Sequence, residues 1–244
     1  MDQAHDKPPV ALVTGADRGL GLALTARLLG EGWRVFAGQY MPEWHELATL
    51  SSQFSGALHI VPLDVSSTES VQTAAQTIAA TADQVDLLVN NAGILGGGDR
   101  SRIRSGLDYA TILRVYDVNM LGMMRVVHAF LPLTDRGTRR LVFISSNLSS
   151  IAMMSGQGEV GYALSKTALN MAVKIMFNHL RPEGYTFRLY HPGWVRTYLR
   201  GQKNMAATLE PEEAAAKALP IFLNERDDED RLVLLNYDGT EWPF

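Results

Sequence analysis

Apolar runs of strand length alternate along the chain with longer segments whose apolar residues recur at helical spacing. The strand-like runs occupy residues 10–14, 33–37, 58–63, 85–89, 141–144, 186–190 and 232–235. Helical periodicity is found at residues 20–30, 67–80, 110–131 and 161–180, and again after Pro211. The pattern therefore predicts strands and helices in regular alternation.

Short apolar strands separated by helices are typical of a parallel sheet, because right-handed crossovers place helices on both of its faces. We expect an α/β protein with a Rossmann-like, doubly wound, seven-stranded parallel sheet and helices on both faces. No repeat or linker marks a second domain, so residues 1–244 are expected to form one domain, with residues 1–8 as a poorly ordered tail. Ligands bind such sheets beyond the carboxyl ends of the strands.

A glycine-rich turn, TGADRGLG at residues 14–21, joins the first predicted strand to the first predicted helix. Gly15 permits a tight turn, Gly19 lets the backbone approach a pyrophosphate, and Gly21 allows the helix to pack closely on the strand. The first amides of the helix would then face an anionic phosphate. The candidate dinucleotide-binding residues of this turn are Gly15, Asp17, Arg18, Gly19, Leu20 and Gly21.

The end of the second predicted strand bears on the choice of dinucleotide. Folds that bind NAD commonly place a carboxylate there for the ribose 2′-hydroxyl, whereas a guanidinium suits a 2′-phosphate. Here the strand continues into the sequence AGQY at residues 37–40, which has no carboxylate, and Arg18 supplies a cation in the turn. We therefore expect NADP rather than NAD as the cofactor.

Polar and small residues follow the third and fourth predicted strands. Asp64 and Val65 come after the third strand, and Asn90, Ala92 and Gly93 belong to the NNAG sequence after the fourth. A carboxylate can accept a hydrogen bond from an adenine amino group, and small residues let the chain pass close to a ribose. Together with the glycine-rich turn, these five residues are expected to form one cofactor cleft.

Tyr162 and Lys166 lie four residues apart in the sequence GYALSK, at the start of a predicted helix. One helical turn, about 6 Å of rise, separates them, so both side chains project from the same face. A neighbouring cation favours the phenolate and would lower the pKa of the tyrosine toward neutrality. The pair is therefore a candidate for acid/base chemistry.

Together these motifs resemble the short-chain dehydrogenase/reductase family, in its single-domain, carbonyl-reductase-like branch. They follow the order of the family along nearly the whole chain. The residues that carry the resemblance are 14–21, Asp64, 90–93, Asn119, 145–146, Tyr162, Lys166, Pro192, Gly193 and Thr197.

The resemblance implies roles for four catalytic residues. Tyr162 would donate a proton in carbonyl reduction and accept one in alcohol oxidation, while Lys166 would lower its pKa and bind the nicotinamide ribose. Ser146 would orient the substrate oxygen, and Asn119 would hold a water in a proton relay to the lysine.

The resemblance also implies a cofactor contact after the sixth predicted strand. The backbone of Pro192, Gly193 and Val195 would cradle the nicotinamide carboxamide, with Thr197 nearby. His191, just before them, resembles nothing catalytic in the family and is expected to be a hydrogen-bonded structural residue.

One spacing departs from the family. The family serine usually lies thirteen residues before the tyrosine, an offset that Ser149 has, whereas Ser146 lies sixteen before Tyr162. We favour Ser146 because it follows the predicted strand at 141–144, and the loop after it can absorb extra residues. Ser149 is the alternative.

Composition excludes several other chemistries. Without cysteine there is no disulfide or thiolate nucleophile, which fits a reducing compartment. A net charge of −4 gives no reason to expect nucleic acid, and the six histidines lack the spacing of metal ligands. The polar first residues and the lack of a long apolar run predict a cytoplasmic protein with no membrane or metal.

We therefore predict an NADP(H)-dependent oxidoreductase that reduces a ketone or aldehyde, or oxidises the alcohol, and that forms a homodimer or homotetramer. The alternative is a non-catalytic NADP-binding sensor on the same fold. An epimerase or dehydratase is disfavoured, because only about fifty residues follow Thr197. The sequence does not identify the substrate. Two interpretations are open for one set of residues, a substrate pocket lining or ordinary packing of loops against the core: Met153, Met154, Trp194, Tyr198 and Leu199.

Overall fold

Eight strands alternate with seven α-helices in the computed structural model, which describes residues 7–96, 103–104, 106–199 and 201–244. The strands are β1 (Val10–Val13), β2 (Arg34–Gln39), β3 (Leu58–Pro62), β4 (Leu87–Asn90), β5 (Arg140–Ile144), β6 (Thr186–His191), β7 (Leu234–Asn236) and β8 (Glu241–Trp242). The helices are α1 (Gly19–Gly30), α2 (Glu46–Gln53), α3 (Thr68–Ala79), α4 (Tyr109–Tyr116), α5 (Gly122–Thr134), α6 (Val160–Leu180) and α7 (Pro211–Leu223). Most of the tail predicted at residues 1–8 lies outside the described residues.

All eight strands form one sheet in the order β3-β2-β1-β4-β5-β6-β7-β8. Strands β1 to β7 run parallel, as predicted for a Rossmann-like fold, and β8 pairs antiparallel with β7. The chain winds outward from β1 in one direction to β3, then returns to β4 on the other side. The order reverses between β1 and β4, so the loops after these two strands diverge and leave a crevice above them.

Each face of the sheet carries its own hydrophobic core. Along β1, Leu12 packs in the cluster that contains Phe130 and Val173, whereas its neighbour Val13 packs in the cluster that contains Leu24 and Phe222. This division follows from the two-residue period of a strand. A fully buried leucine such as Leu12 contributes roughly 2 kcal/mol by leaving water. The sheet is therefore packed on both faces, and its carboxyl edge carries the loops that follow the strands.

Three elements differ from the sequence prediction. The single helix predicted at residues 110–131 is interrupted by a π-helical turn at Asp117–Leu121, between α4 and α5. Helix α2 was not predicted because only Leu47 of its eight residues is buried, so its apolar periodicity is weak. Strand β8 has only two residues, too few for a pattern. None of the described helices is long and apolar enough to cross a bilayer.

Candidate active site

A cavity of about 730 Å³ lies at the carboxyl edge of the sheet, above the crevice between β1 and β4. Loops that follow β1, β3, β4, β5 and β6 supply its walls, so residues distant in sequence meet there. It is of the size that binds small molecules and cofactors. The predicted residues that line it are Gly15, Asp17, Arg18, Gly19, Leu20, Gly21, Asp64, Val65, Ala92, Gly93, Ser146, Tyr162, Lys166, Pro192, Gly193, Val195 and Thr197.

The glycine-rich turn is packed too tightly for side chains at two of its positions. Gly15 has φ +62°, and a Cβ there would lie 2.9 Å from the Cα of Ala92. A Cβ on Gly21 would lie 2.1 Å from the main-chain oxygen of Gly15. The side-chain amide of Asn91 donates to the main-chain oxygens of Thr14 and Gly15, at 2.9 and 3.0 Å. The loops after β1 and β4 are thus joined into one surface.

Helix α1 begins at this surface without a capping side chain. Arg18 occupies the N-cap position, makes no capping hydrogen bond, and no acidic residue is present in the first turn. The first amides of the helix therefore keep their capacity to donate, and the helix dipole adds positive potential. Such a helix start fits a phosphate group, which agrees with the predicted dinucleotide cleft.

The carboxylate of Asp17 supports the site instead of opening into it. Its Oδ1 accepts hydrogen bonds from the backbone amides of Tyr40 and Met41, at 2.8 and 3.1 Å. Burial raises the pKa of Asp17, and these amides oppose the rise. The bonds fix the end of β2 beside Arg18, and residues 37–41 at this strand end contribute no carboxylate of their own.

Asp64 is similarly engaged at the end of β3. Its Oδ1 accepts from the backbone amide and the hydroxyl of Ser66, at 2.9 and 2.7 Å, while its own backbone amide donates to the hydroxyl oxygen of Ser70 at 2.9 Å. These bonds form a compact turn that leads into α3. The turn places Asp64 and Val65 on the cavity wall.

Tyr162 and Lys166 converge with Ser146 on one side of the cavity. The lysine Nζ lies 5.7 Å from the centroid of the tyrosine ring and donates a 2.7 Å hydrogen bond to the main-chain oxygen of Ile144. The side chain of Ser146 lies close enough to the phenol to lower its pKa. The predicted serine, tyrosine and lysine therefore share one site, held by the end of β5 and the first turns of α6.

The pKa of Tyr162 moves opposite to the sequence prediction. Burial raises the pKa of this phenol to about 12, with the side chain of Ser146 opposing the rise. The ring is half-buried because one side faces the cavity. Burial also lowers the pKa of Lys166 to about 8. At neutral pH the phenol is protonated and can donate, and the lysine is mostly an ammonium.

The two candidate serines have different surroundings. Ser149 is almost fully buried, donates to the main-chain oxygen of Ser146, and accepts a 2.8 Å hydrogen bond from the amide of Asn170. It does not line the cavity, whereas Ser146 does. The geometry supports Ser146 as the serine that faces a substrate, and Ser149 as part of the packing beneath it.

Two predicted asparagines do not reach the cavity. Asn90 is buried behind it, with its amide 3.4 Å from the main-chain oxygen of Val142 and its Oδ1 unpartnered; Asn91 lines the cavity instead. Asn119 exchanges hydrogen bonds of 2.8 and 2.9 Å with the main chain of Ile94, and also donates to Ser165. These two side chains therefore buttress the site, Asn119 from within the π-helical turn.

Pro192 and Gly193 follow β6 and are backed by the strands at the sheet edge. Gly193 has φ +82°, and a Cβ there would lie 2.7 Å from Leu209 and 2.9 Å from Tyr237. Its neighbour His191 was expected to be hydrogen-bonded, but its Nδ1 is buried and has no partner among the described residues, and burial lowers the pKa of the ring to about 4. The imidazole is therefore neutral at pH 7.

Several cavity residues had no recognisable sequence signal. Of the residues expected near a substrate, Trp194, Tyr198 and Leu199 line the cavity and Met153 and Met154 do not. Glu159, just before α6, is distinguished only by its backbone. Its φ of +59° is uncommon for residues other than glycine. Cavity residues that were not among the predicted site residues are Tyr40, Met41, Leu63, Ser66, Asn91, Ile94, Leu95, Arg114, Asp117, Val118, Ile144, Ser145, Asn147, Leu148, Glu159, His191 and Asn204. No cluster of metal-ligating side chains occurs within the described ranges.

A family model described as short chain dehydrogenase matches residues 9–208, more than four-fifths of the chain. The chain therefore belongs to the short-chain dehydrogenase/reductase family of oxidoreductases, which act on CH-OH and C=O groups. This confirms the resemblance seen in the sequence motifs.

Individual relatives agree with this placement. An uncharacterized oxidoreductase of Schizosaccharomyces pombe is 32% identical over 96% of this chain and 98% of its own length. The C-signal protein of Myxococcus xanthus is 38% identical over 66% of this chain and 93% of its length. An NADPH-bound carbonyl reductase from chicken fatty liver superposes with a TM-score of 0.86 at 28% identity, over 98% of this chain and 100% of that one.

Proposed function

We propose that this chain is an NADP(H)-dependent reductase of ketones or aldehydes, able to run in reverse on the alcohol, with Tyr162 as its general acid/base. The observation that carries the proposal is the meeting of Ser146, Tyr162 and Lys166 in the cavity that also contains the glycine-rich turn. A dinucleotide that lies along the turn and a carbonyl compound beside Tyr162 would share one enclosed space.

The residues of the cavity fit a dinucleotide phosphate at a specific place. The uncapped start of α1 and the close packing at Gly15 and Gly21 leave room for a pyrophosphate but not for side chains. When bound, the dinucleotide supplies the hydride equivalent, which no side chain can. Arg18 and the lack of a carboxylate after β2 favour NADP over NAD, and the chicken carbonyl reductase is NADPH-bound.

The remaining chemistry belongs to the chain itself. Tyr162, protonated at neutral pH, would donate its proton to a carbonyl oxygen, since the phenol faces the cavity. Ser146 would donate a hydrogen bond to the same oxygen and stabilise its developing charge. The ammonium of Lys166 would stabilise the phenolate left behind. Leu95, Leu148 and Leu199 add apolar surface to the cavity wall, and an apolar surrounding strengthens these interactions.

The test is a panel of aldehydes, ketones and quinones offered with NADPH and with NADH, followed by the absorbance of the reduced nicotinamide. We expect turnover with NADPH, and a fall in kcat of about 10²–10⁴-fold in Tyr162→Phe with NADPH binding retained. A protein that turns over every active substrate equally well in Tyr162→Phe would overturn the assigned role.

A non-catalytic NADP-binding protein is the second candidate. One relative bears the name of a signal and not of a reaction, and the high pKa of Tyr162 makes the phenol a weak acid. NADPH binding without turnover across the whole panel would favour this candidate. Turnover that disappears in Tyr162→Phe would exclude it.

We also propose that residues 1–244 act as one cofactor-binding and catalytic domain in a cytoplasmic homodimer or homotetramer. A single sheet that runs from β1 to β8 supports the single domain. Helices α4, α5 and α6 present exposed apolar side chains, and light scattering on variants with charges there would test the assembly. These side chains are Tyr109, Leu113, Leu121, Met124, Leu164, Met171 and Ile175.

A further inference from the structure

Two aromatic rings from distant parts of the chain meet at the guanidinium of Arg18. The guanidinium carbon lies 4.6 Å from the ring centroid of Trp44, in the loop between β2 and α2, and 5.9 Å from that of Tyr198, after β6. The two rings also touch each other edge to face, with centroids 4.6 Å apart. Arg18 and Tyr198 also line the cofactor cavity, and Trp44 lies beside them.

The loop that carries Tyr198 is internally braced. Residues 195 and 209 form a parallel bridge, and the amide of Asn204 donates to the main-chain oxygen of Thr197 at 3.0 Å. Arg196 pairs with Glu210 at 2.6 Å. Thr197 also approaches the glycine-rich turn, since a Cβ on Gly19 would lie 3.3 Å from its methyl group. Tyr198 is therefore held over the turn by a fixed loop.

The segment that carries Trp44 continues into α2, which is held to the core by Leu47, with Leu50 and Phe54 packed against the same cluster. Trp44 itself is half-buried and belongs to neither hydrophobic core cluster. Its ring contacts Arg18 and Tyr198 instead. Core packing therefore does not account for this contact.

Ring contacts leave the donors of Arg18 available. A guanidinium stacked on an aromatic ring uses its face, while its N–H groups point outward in the plane. One of these groups contacts the sulfur of Met41. Within the part of the chain that the structure describes, Arg18 forms no ion pair; the neighbouring Asp17 carboxylate is bonded to backbone amides. A charged, oriented donor set therefore faces the end of β2.

We propose that Trp44 and Tyr198 are positioning residues that hold Arg18 for the 2′-phosphate of NADP(H), and that Tyr198 thereby couples this phosphate to the loop at the substrate end. The three side chains form a clamp across the cleft. The proposal rests on the proposed function for its cofactor. Since Trp194 and Leu199 of the same loop line the cavity, the 2′-phosphate also lowers the KM for substrate.

Binding measurements test the clamp without turnover. The probes are NADPH against NADH, and 2′,5′-ADP against 5′-AMP, titrated by calorimetry. Trp44→Ala weakens the two 2′-phosphorylated probes about three- to thirtyfold, the range of a cation–π contact, and leaves NADH and 5′-AMP unchanged. Trp44→Phe retains most of the preference as the conservative control. Tyr198→Ala behaves like Trp44→Ala, and Tyr198→Phe like the parent.

A double-mutant cycle separates positioning from a merely structural role. In Arg18→Ala, adding Trp44→Ala has no further effect on 2′,5′-ADP affinity, because the ring acts only through the guanidinium. Equal loss for all four probes in Trp44→Ala, or additive losses in the double variant, overturns the clamp. With turnover available, Tyr198→Ala raises the substrate KM with NADPH and leaves kcat within about twofold; an unchanged KM removes the proposed coupling.

The outcomes distinguish this proposal from the proposed function. A protein that prefers 2′,5′-ADP over 5′-AMP through Trp44, yet turns nothing over, supports the clamp and contradicts the enzymatic function. If the protein turns over substrate with NADPH and both aromatic variants keep the parental preference for NADPH over NADH, the enzymatic function is supported and the clamp is contradicted. A parent protein that binds none of the four probes contradicts both.

Discussion

The ammonium nitrogen of Lys166 donates a 2.7 Å hydrogen bond to the main-chain oxygen of Ile144, the last residue of β5. Ser146 lies only two residues beyond this strand end. The strand thus fixes two members of the site at once, the serine covalently and the lysine through its side chain. The position of the ammonium therefore depends on the sheet as well as on α6.

The pKa of Lys166 predicts how the reaction depends on pH. Burial lowers this pKa to about 8, so the ammonium is present below that pH and is lost above it. We expect kcat/KM for carbonyl reduction to fall as pH rises through about 8, because the neutral amine no longer stabilises the phenolate. A pH–rate profile from 6 to 10 measures this. In Lys166→Arg, the fall in kcat/KM at alkaline pH should move out of this range. If the fall stays at the same pH, another group is responsible for it.

Substitution of the two serines should have different effects, on catalysis for Ser146 and on stability for Ser149. Ser146→Ala is expected to lower kcat/KM about 10²–10³-fold, as loss of one oxyanion donor does, with little change in Tm. Ser149→Ala leaves the amide of Asn170 without its acceptor, and should cost about 1–3 kcal/mol of unfolding free energy with kcat nearly intact. Steady-state kinetics and denaturant unfolding on both variants are the measurements. Loss of turnover confined to Ser149→Ala would reverse the assignment.

Glycines 21 and 30, both in α1, provide a matched pair. A Cβ on Gly21 would lie 2.1 Å from the main-chain oxygen of Gly15 and 2.6 Å from the Asn91 amide, whereas nothing lies within 4 Å of one on Gly30. Gly21→Ala should displace the turn, weaken NADPH binding at least tenfold and lower Tm. Gly30→Ala should be neutral or slightly stabilising. Equal NADPH affinity in the two variants would contradict the close-packed cradle.

His191 should make the fold sensitive to acid. Burial lowers its pKa to about 4, from an unfolded value near 6.5. The contribution of the neutral imidazole to the unfolding free energy is therefore complete above pH 6.5. The unfolding free energy falls by on the order of 1–3 kcal/mol as the pH falls toward 4, because the unfolded state binds the proton at a higher pH than the folded state. In His191→Asn, the unfolding free energy measured with urea should change less with pH between 6.5 and 4. His179→Asn, at an exposed position, is the control and should keep the parental slope.

The sequence pattern was sufficient for the architecture. Strands β1, β4, β5 and β6 are buried along most of their length, so each produces an apolar run that can be recognised. Helix α2 and strand β8 depend on tertiary contacts and carry no comparable signal. The π-helical turn at Asp117–Leu121 is invisible for the same reason, since apolar residues continue through it. Local pattern therefore predicts elements with their own hydrophobic face and misses those that packing creates.

The site was predictable where chemistry depends on residue type and not where it depends on surroundings. Tyr162, Lys166 and the glycines were identified by spacing. The predicted direction of the Tyr162 pKa shift was wrong because burial, which raises this pKa, is a property of the fold. Asn90 and Asn91 are adjacent and chemically identical, and only the alternation of side chains at the end of β4 decides which one faces the cavity.

The amide bridge from Asn91 to the glycine-rich turn has a kinetic consequence. It ties the ends of β1 and β4 together before any nucleotide binds. The conformational entropy of this surface is therefore lost during folding and not during binding. A preorganised surface needs no slow rearrangement after encounter. Nucleotide association should then be a single fast phase whose observed rate rises linearly with concentration.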